Sequence, residues 1–137
     1  MKKWSVKIFG FAAVAATFLL IIGQAGAFKQ EDVDTLMDTN VCLNCDLSGA
    51  NLFGERLSRA KLSGANLSKA VLRLANLIGT DMSRADLTDA KLDRAILSGA
   101  TLQGATLQGA DLSEAILQGA TWTDGRICAA GSIGKCN

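Results

Sequence analysis

Four cysteines are the residues of this chain best suited to chemistry, and their spacing admits three kinds of site. Cys42 and Cys45 form a Cys-x-x-Cys motif, and Cys128 and Cys136 lie near the other end of the chain. Such pairs form structural disulfides, dithiol redox centres or half of a zinc site. A zinc site needs four ligands close together, and the chain has no histidine to complete a pair of cysteines. The secondary structure that carries the two cysteine pairs therefore distinguishes between a disulfide, a redox centre and a zinc site.

Catalytic chemistry has little support in the remaining residues. Histidine, the usual proton shuttle near neutral pH, is absent. Glu55 is a carboxylate in a position where the sequence otherwise prefers alanine, but a lone carboxylate is no acid–base pair. A local opening, or a partner in Arg56 or Arg59, explains it better. We therefore predict no catalytic residues, no enzyme activity, no metal and no cofactor.

The elements that carry these residues follow from a five-residue period. From Cys45 to Asp124 the chain repeats every five residues, sixteen times, without insertion or deletion. Leucine fills the centre of fourteen units, and alanine lies two positions before the centre in thirteen. Neither an α-helix nor a flat strand keeps this period on one face, whereas a solenoid of stacked short repeats does. The sequence thus predicts an all-β solenoid.

The units themselves resemble a known family. Segments such as SGANL, SRADL and QGADL are similar to the units of the pentapeptide repeat family. The similarity covers residues 45–124 and extends over Cys42 and Ile127. The resemblance implies a right-handed quadrilateral β-helix with one pentapeptide on each side and twenty residues per coil. Sixteen units then make about four coils.

Charged residues test this coil length independently. Residues twenty apart should lie about 4.8 Å from each other in stacked coils. The charged pairs at that separation are Lys61/Asp81, Lys69/Asp89, Arg73/Asp93, Lys91/Asp111 and Arg94/Glu114, all opposite in sign. A three-sided coil would instead bring residues fifteen apart together, and of the three charged pairs at that separation one, Lys69/Arg84, has the same sign. Opposite charges across a ladder stabilise it, so the charges favour four sides.

The twenty-residue register sorts the central residues into four stacked columns, which define the faces of the rod. The first face carries Leu47, Leu67, Leu87 and Leu107; the second, Leu52, Leu72, Leu92 and Leu112; the third, Leu57, Leu77, Leu97 and Leu117; the fourth, Leu62, Met82, Leu102 and Trp122. We expect these side chains to fill the interior, with Trp122 as a plug in the last coil. Glu55 and Thr80 are the two larger polar residues in inward alanine positions.

The ends of such a ladder need caps, because unpaired backbone edges invite aggregation. Residues 30–39 predict a short capping helix, with acidic residues first and an apolar face of Val33, Leu36 and Met37. The tail after residue 124 loses the repeat and should cover the other end.

With the two cysteine pairs separated by about four coils, a bond between ends is too long, since Cα atoms must lie within about 7 Å. We therefore predict the disulfides Cys42–Cys45 and Cys128–Cys136. A redox motif would place its cysteine at a helix start, whereas Cys42 follows the predicted helix.

Residues 1–27 predict a cleaved signal peptide. Three lysines precede an apolar run over residues 8–22, and Ala25-Gly26-Ala27 offers small residues for cleavage. The predicted divisions are then 1–27 signal peptide, 28–44 N-terminal cap, 45–124 β-helix and 125–137 C-terminal cap. An exported, oxidising location follows: the periplasm or the extracellular medium, or the thylakoid lumen in a photosynthetic host. Membrane contact is expected only through the signal segment before cleavage.

The function expected of this rod is binding. The mature chain contains 11 basic and 13 acidic residues, a net charge of −2, which suits neither a nucleic-acid binder nor a strongly acidic DNA mimic. The alternative implied by the resemblance is a DNA-mimic protein that protects gyrase, but the signal segment and near-neutral charge disfavour it. We predict a monomeric scaffolding module with a protein partner and no nucleic acid. The candidate interaction patch is Ile78, Ile96 and Ile116 on the third face, although β-branched residues also support ladders.

Overall fold

The computed structural model describes residues 28–137, and the predicted signal peptide lies outside them. Helix α1 spans Gln30–Thr39, the range predicted from its apolar spacing, and ends at Asn40 in the left-handed conformation. Leu36 on α1 is buried in the core, and Val33 and Met37 pack partly against it. No helix in this part of the chain is both long and apolar enough to cross a membrane.

Beyond α1, the chain is a ladder of single-residue β-bridges, with no longer strand among the described residues. Parallel bridges join residues twenty apart, from Val41↔Lys61 to Thr101↔Thr121. A two-residue turn follows each bridge at five-residue intervals, so each coil has four sides. The backbone bonds repeat in the same way: the N–H of Leu87 donates to the carbonyl of Thr106 at 2.8 Å. The predicted twenty-residue register is thus present along the ladder.

Corner geometry explains the fifth position of each unit. Each corner residue from Asn44 to Gly119 has a positive φ, between 54° and 71°. Glycine adopts this conformation without a Cβ clash, which accounts for its frequency at the corner. At Gly109 a Cβ would also collide with the Asp89 carboxylate folded over it. The repeat therefore follows from the need to turn the backbone every five residues.

The interior is filled by the inward alanine and leucine positions. The central leucines of the units from Leu47 to Leu102, with Met82, are at most 1% exposed. Thr80 is also fully buried, and its hydroxyl donates to the Leu57 carbonyl at 2.7 Å, which satisfies the polar atom. Glu55 lies half-buried in its inward position. Trp122 is half-buried and packs against the core, as a residue at the end of the stack would.

The last coil differs from the others on two faces. Leu107 and Leu112 are only half-buried, whereas Leu87 and Leu92, one coil earlier, are fully buried. The tail forms antiparallel bridges with the third face at Ile116↔Ile133 and with the fourth at Thr121↔Ile127. The predicted C-terminal cap therefore covers two faces of the end, not all four.

Polar side chains brace the turns of the first and second faces. The aspartate before the central leucine accepts hydrogen bonds from the residue that follows this leucine. Asp86 Oδ1, for example, accepts from the backbone N–H of Thr88 at 2.9 Å and from its hydroxyl at 2.6 Å. Asp46 with Ser48, and Asp111 with Ser113, repeat the arrangement. These hydroxyl and N–H donors hold the pKa of Asp46, Asp86 and Asp111 below the ordinary value of 3.8.

Acid should therefore destabilise the rod through these turns. A carboxylate with a lowered folded-state pKa stabilises the protein above its unfolded pKa, and this contribution is lost as the pH falls through the folded value. We expect urea unfolding midpoints to be constant from pH 7 to about pH 5 and to decrease below about pH 4.

In the triple variant Asp46→Asn, Asp86→Asn, Asp111→Asn this acid-induced decrease of the urea midpoint should be smaller. Asparagine suits the turn, because Asn66 Oδ1 accepts the same two bonds from Ser68. An unchanged acid profile in the triple variant would contradict this origin.

Candidate interaction surface

An apolar column runs up the outside of the third face. Ile96 and Ile116 are parallel bridge partners, and Ile133 from the tail pairs antiparallel with Ile116. We call Ile96, Ile116 and Ile133 the isoleucine column. Ile116 is 39% exposed and Ile133 58% exposed, with Ile96 half-buried between its neighbours. Ile78, in the third-face unit below Ile96, is 43% exposed and extends the apolar surface toward the N-terminal end.

The repeat itself sets the outward direction of these side chains. Ile96 and Ile116 each lie between an inward alanine and an inward leucine, so their side chains must point to the outside. Backbone bonds fix the position: the N–H of Ile116 donates to Ala95 at 2.9 Å, and its carbonyl accepts from Leu97 at 2.7 Å. The column is therefore held rigidly, and a partner that binds it needs no ordering of this surface.

The corner beside the column is flat because it is built of glycine. Gly99 and Gly119 are stacked there, and a Cβ added at Gly99 would meet no atom within 4 Å. No side chain therefore rises at these two positions between the column and the fourth face. This leaves room for the backbone of a partner to approach closely.

Sequence reasoning found three residues of this surface and missed Ile133. The predicted patch of Ile78, Ile96 and Ile116 came from the repeat, and the structure places all three on the third face. Ile133 lies in the tail, where the period is lost and no register can be read. Other exposed apolar residues also went unpredicted: Phe53 and Leu74 on the second face are 53% and 50% exposed.

The second face carries charges that satisfy one another. Arg73 Nε lies 2.8 Å from Asp93 Oδ2, and Arg94 Nε lies 3.0 Å from Glu114 Oε2. The Glu114 carboxylate raises the pKa of Arg94 above its ordinary value. A shallow groove between the first and second faces is lined by residues of both signs, including Asp89, Lys91 and Asp111. This balance gives the second face no net field toward a charged partner.

The cysteines lie at the two ends of the ladder, away from the isoleucine column's centre. Cys42 is bonded to Cys45, with Cα atoms 5.4 Å apart, and Cys128 to Cys136, with Cα atoms 4.8 Å apart. Both pairs are those expected from the coil geometry. Cys42, Cys128 and Cys136 are buried and Cys45 is half-buried. The first disulfide closes a short loop just after α1, and the second closes a loop within the tail.

Comparison with known proteins agrees with this architecture. The family model described as pentapeptide repeats, in eight copies, matches residues 56–94 and 80–119. No curated protein matches the chain significantly. Among solved structures, a pentapeptide repeat protein from the Arabidopsis thaliana thylakoid lumen is 35% identical, with a TM-score of 0.56. The match covers 61% of this chain and 55% of that protein, so the chain spans about half of its length.

Two cyanobacterial structures are also similar in sequence. HetL from Nostoc sp. strain PCC 7120, a pentapeptide repeat protein involved in heterocyst differentiation regulation, is 42% identical over 58% of this chain and 39% of its own, with a TM-score of 0.38. A second pentapeptide repeat protein from Nostoc PCC 7120 is 37% identical over 68% of this chain and 82% of its own, with a TM-score of 0.36. The family-model match and the similar lumenal protein, together with the repeat and its twenty-residue register, show that this chain belongs to the pentapeptide repeat family.

Proposed function

We propose that this protein is a non-enzymatic binding module: a rigid rod of about four coils that holds a protein partner on its third face. The observation that carries the proposal is the isoleucine column, three β-branched side chains aligned by bridges and partly exposed on a surface with a glycine corner beside it. Contiguous exposed apolar surface tends to mark interaction sites.

The build of the interior supports binding over catalysis. Most inward positions of the described coils are occupied by leucine and alanine packed against each other, so the interior of the ladder is filled with side chains. The groove between the first and second faces is shallow and lined by charges of both signs, among them the ion pair Arg73–Asp93. Function is therefore assigned to the outer faces.

An exported, oxidising compartment is part of the proposal. Two disulfides persist where thiols are not kept reduced, and the predicted signal segment over residues 1–27 gives a route of export. The similar protein from a thylakoid lumen adds that compartment for a photosynthetic host; otherwise we propose the periplasm or the extracellular medium. Protection of gyrase, the alternative, suits neither this location nor a net charge of −2 in residues 28–137.

Site-specific crosslinking tests the proposal. A photo-crosslinking residue placed at position 116 should give a discrete adduct in the protein's own host, because Ile116 lies in the middle of the column. Lys61 occupies the same slot of its unit on the fourth face, away from the column and from the C-terminal edge, and is exposed like Ile116. It is the matched control and should give no such adduct. Adducts of equal yield at both positions, or none at position 116, would contradict binding by the third face.

A further inference from the structure

The ladder of the third face places an arginine in line with the isoleucine column. Parallel bridges join Arg56 to Asn76, Asn76 to Ile96 and Ile96 to Ile116. Because stacked coils are about 4.8 Å apart, Arg56 lies about 10 Å from Ile96 and about 14 Å from Ile116 along the rod. The outer side of the third face is therefore basic in its first coil and apolar in its later coils.

A second arginine lies at the corner of the same coil. Arg59 has a φ of 59°, and the next residue in its corner stack is Gly79. A Cβ added at Gly79 would lie 3.6 Å from Arg59 Cγ, so the arginine side chain leans over the glycine toward the second coil. Arg56 and Arg59 are both exposed. Two guanidinium groups are thus available at the N-terminal end of the apolar surface.

No carboxylate of the third face balances these two charges. The outer positions of this face contain no aspartate or glutamate, and Glu55, next to Arg56, occupies an inward position. Asp81 lies beyond the corner on the fourth face, where its carboxylate accepts the Ser83 N–H at 3.0 Å. Within residues 28–137, no ion pair includes either arginine.

The other faces differ from the third in charge. The outer positions of the first face, opposite the third, contain one basic and three acidic residues, a net charge of −2. Acidic and basic residues are equal in number on the second face and on the fourth. The third face, with a net charge of +2, is thus the positive side of the ladder over residues 45–124.

The arginines select the charge of what binds beside the isoleucines. Guanidinium groups pair with carboxylates, and opposite charges across an interface favour the correct partner and its orientation. Screening limits this attraction to about 8 Å at physiological ionic strength, so the carboxylates must lie next to the arginines. A membrane is a poorer match, because anionic lipid surfaces recruit clusters of about four to eight basic residues, whereas this face carries two.

We propose that the two arginines and the isoleucine column form one site, which takes a protein segment with carboxylate side chains at one end and apolar side chains at the other. The apolar side chains pack on Ile96 and Ile116, and the carboxylates pair with Arg56 and Arg59. The segment therefore binds in one direction, with its acidic end over the first coil. This proposal rests on the proposed function, because it concerns the partner that the column holds.

The test compares the adduct at position 116 before and after removal of the two charges. The protein, expressed from its full sequence, carries the photo-crosslinking residue at position 116 and is exposed to host extract at about 50 mM salt, where exposed charges are weakly screened. In Arg56→Gln/Arg59→Gln the adduct yield should decrease about tenfold, the range for the loss of two exposed ion pairs. The control, Lys69→Gln/Arg84→Gln, removes the same charge from two exposed corner residues on other corners of the rod and should leave the yield unchanged.

Salt gives a second measurement that needs no substitution at the arginines. At about 500 mM salt the yield from the unsubstituted protein should decrease toward that of Arg56→Gln/Arg59→Gln, and the yield from this variant should change little. An adduct at position 116 that depends on neither the arginines nor the salt would overturn the acidic partner and leave the column as a binding surface. No adduct at position 116 in any of the proteins would overturn both proposals.

Two further outcomes would identify a different occupant. An adduct between two copies of this chain would show that a second copy binds the third face. Sedimentation of the protein with phosphatidylglycerol vesicles that is lost in Arg56→Gln/Arg59→Gln would show that the arginines serve a membrane surface. Either result would overturn the proposal of an acidic protein segment.

Discussion

Leu92→Ala is expected to lower the free energy of unfolding by about 2–5 kcal/mol, the range for deleting a buried leucine side chain. Leu92 is fully buried on the second face, with coils stacked above and below it. The ladder bonds of those coils hold the backbone at a fixed spacing, so the surroundings collapse poorly into the cavity. Urea unfolding followed by circular dichroism measures the loss.

Leu112→Ala is the matched control for this loss. Leu112 occupies the same column one coil later, at the open end, and is only half-buried. Less contact is removed there and the edge is free to adjust, so its substitution should cost clearly less than that of Leu92. Equal losses at the two positions would show that the C-terminal end is covered in solution.

Removal of the C-terminal disulfide is expected to have the second largest effect. The variant Cys128→Ser/Cys136→Ser opens a loop with a sequence separation of eight. In the chain-entropy description, closing such a loop stabilises the folded protein by about 2–3 kcal/mol. The tail bonded to Leu117 and Trp122 then loosens, and the edges of the third and fourth faces become free. We expect a lower unfolding midpoint together with concentration-dependent self-association in analytical ultracentrifugation, because open edges pair with one another.

The N-terminal disulfide provides the comparison. Cys42→Ser/Cys45→Ser opens a loop with a separation of only three, so its entropic contribution is smaller, at about 2 kcal/mol. Helix α1 retains other contacts, including the Asp32 carboxylate that accepts the Asp46 N–H at 2.7 Å. This variant should remain monomeric. Self-association in both variants, or in neither, would contradict the assignment of the tail as an edge cap.

Much of this fold could be predicted because the backbone constraint recurs in every unit. A corner every five residues requires a left-handed backbone, which glycine adopts most readily. The leucine between two corners must point inward, so the register from Leu47 to Leu117 can be read directly from the sequence. The charge pairs Arg73/Asp93 and Arg94/Glu114 were visible for the same reason, since the ladder places residues twenty apart side by side. Ile96 and Ile116 also follow from the register.

What could not be predicted lies where the repeat ends. The pairing of Ile133 with Ile116 is antiparallel and depends on how residues 125–137 fold back, which no period specifies. The half-open edge at Leu107 and Leu112 has the same origin, because the reach of the tail is set by its own turns and disulfide. Thr80 was expected to be an irregularity, but its hydroxyl finds the Leu57 carbonyl, a contact with no counterpart in the pattern.

The claim that the isoleucine column is a binding surface, and not only a support of the ladder, is tested most directly by exchanging its side chains. In the variant Ile96→Thr/Ile116→Thr, β-branching is retained, and Thr101 and Thr121 already fill the same slots on the fourth face. The measurement is the adduct yield from a photo-crosslinking residue at position 118, beside the column, with and without the two substitutions. We expect the adduct to disappear, whereas the free energy of unfolding should stay within about 0.5 kcal/mol of that of the unsubstituted protein, as for other surface substitutions. An undiminished adduct, or a large loss of stability with no adduct in either protein, would show that these isoleucines serve the ladder alone.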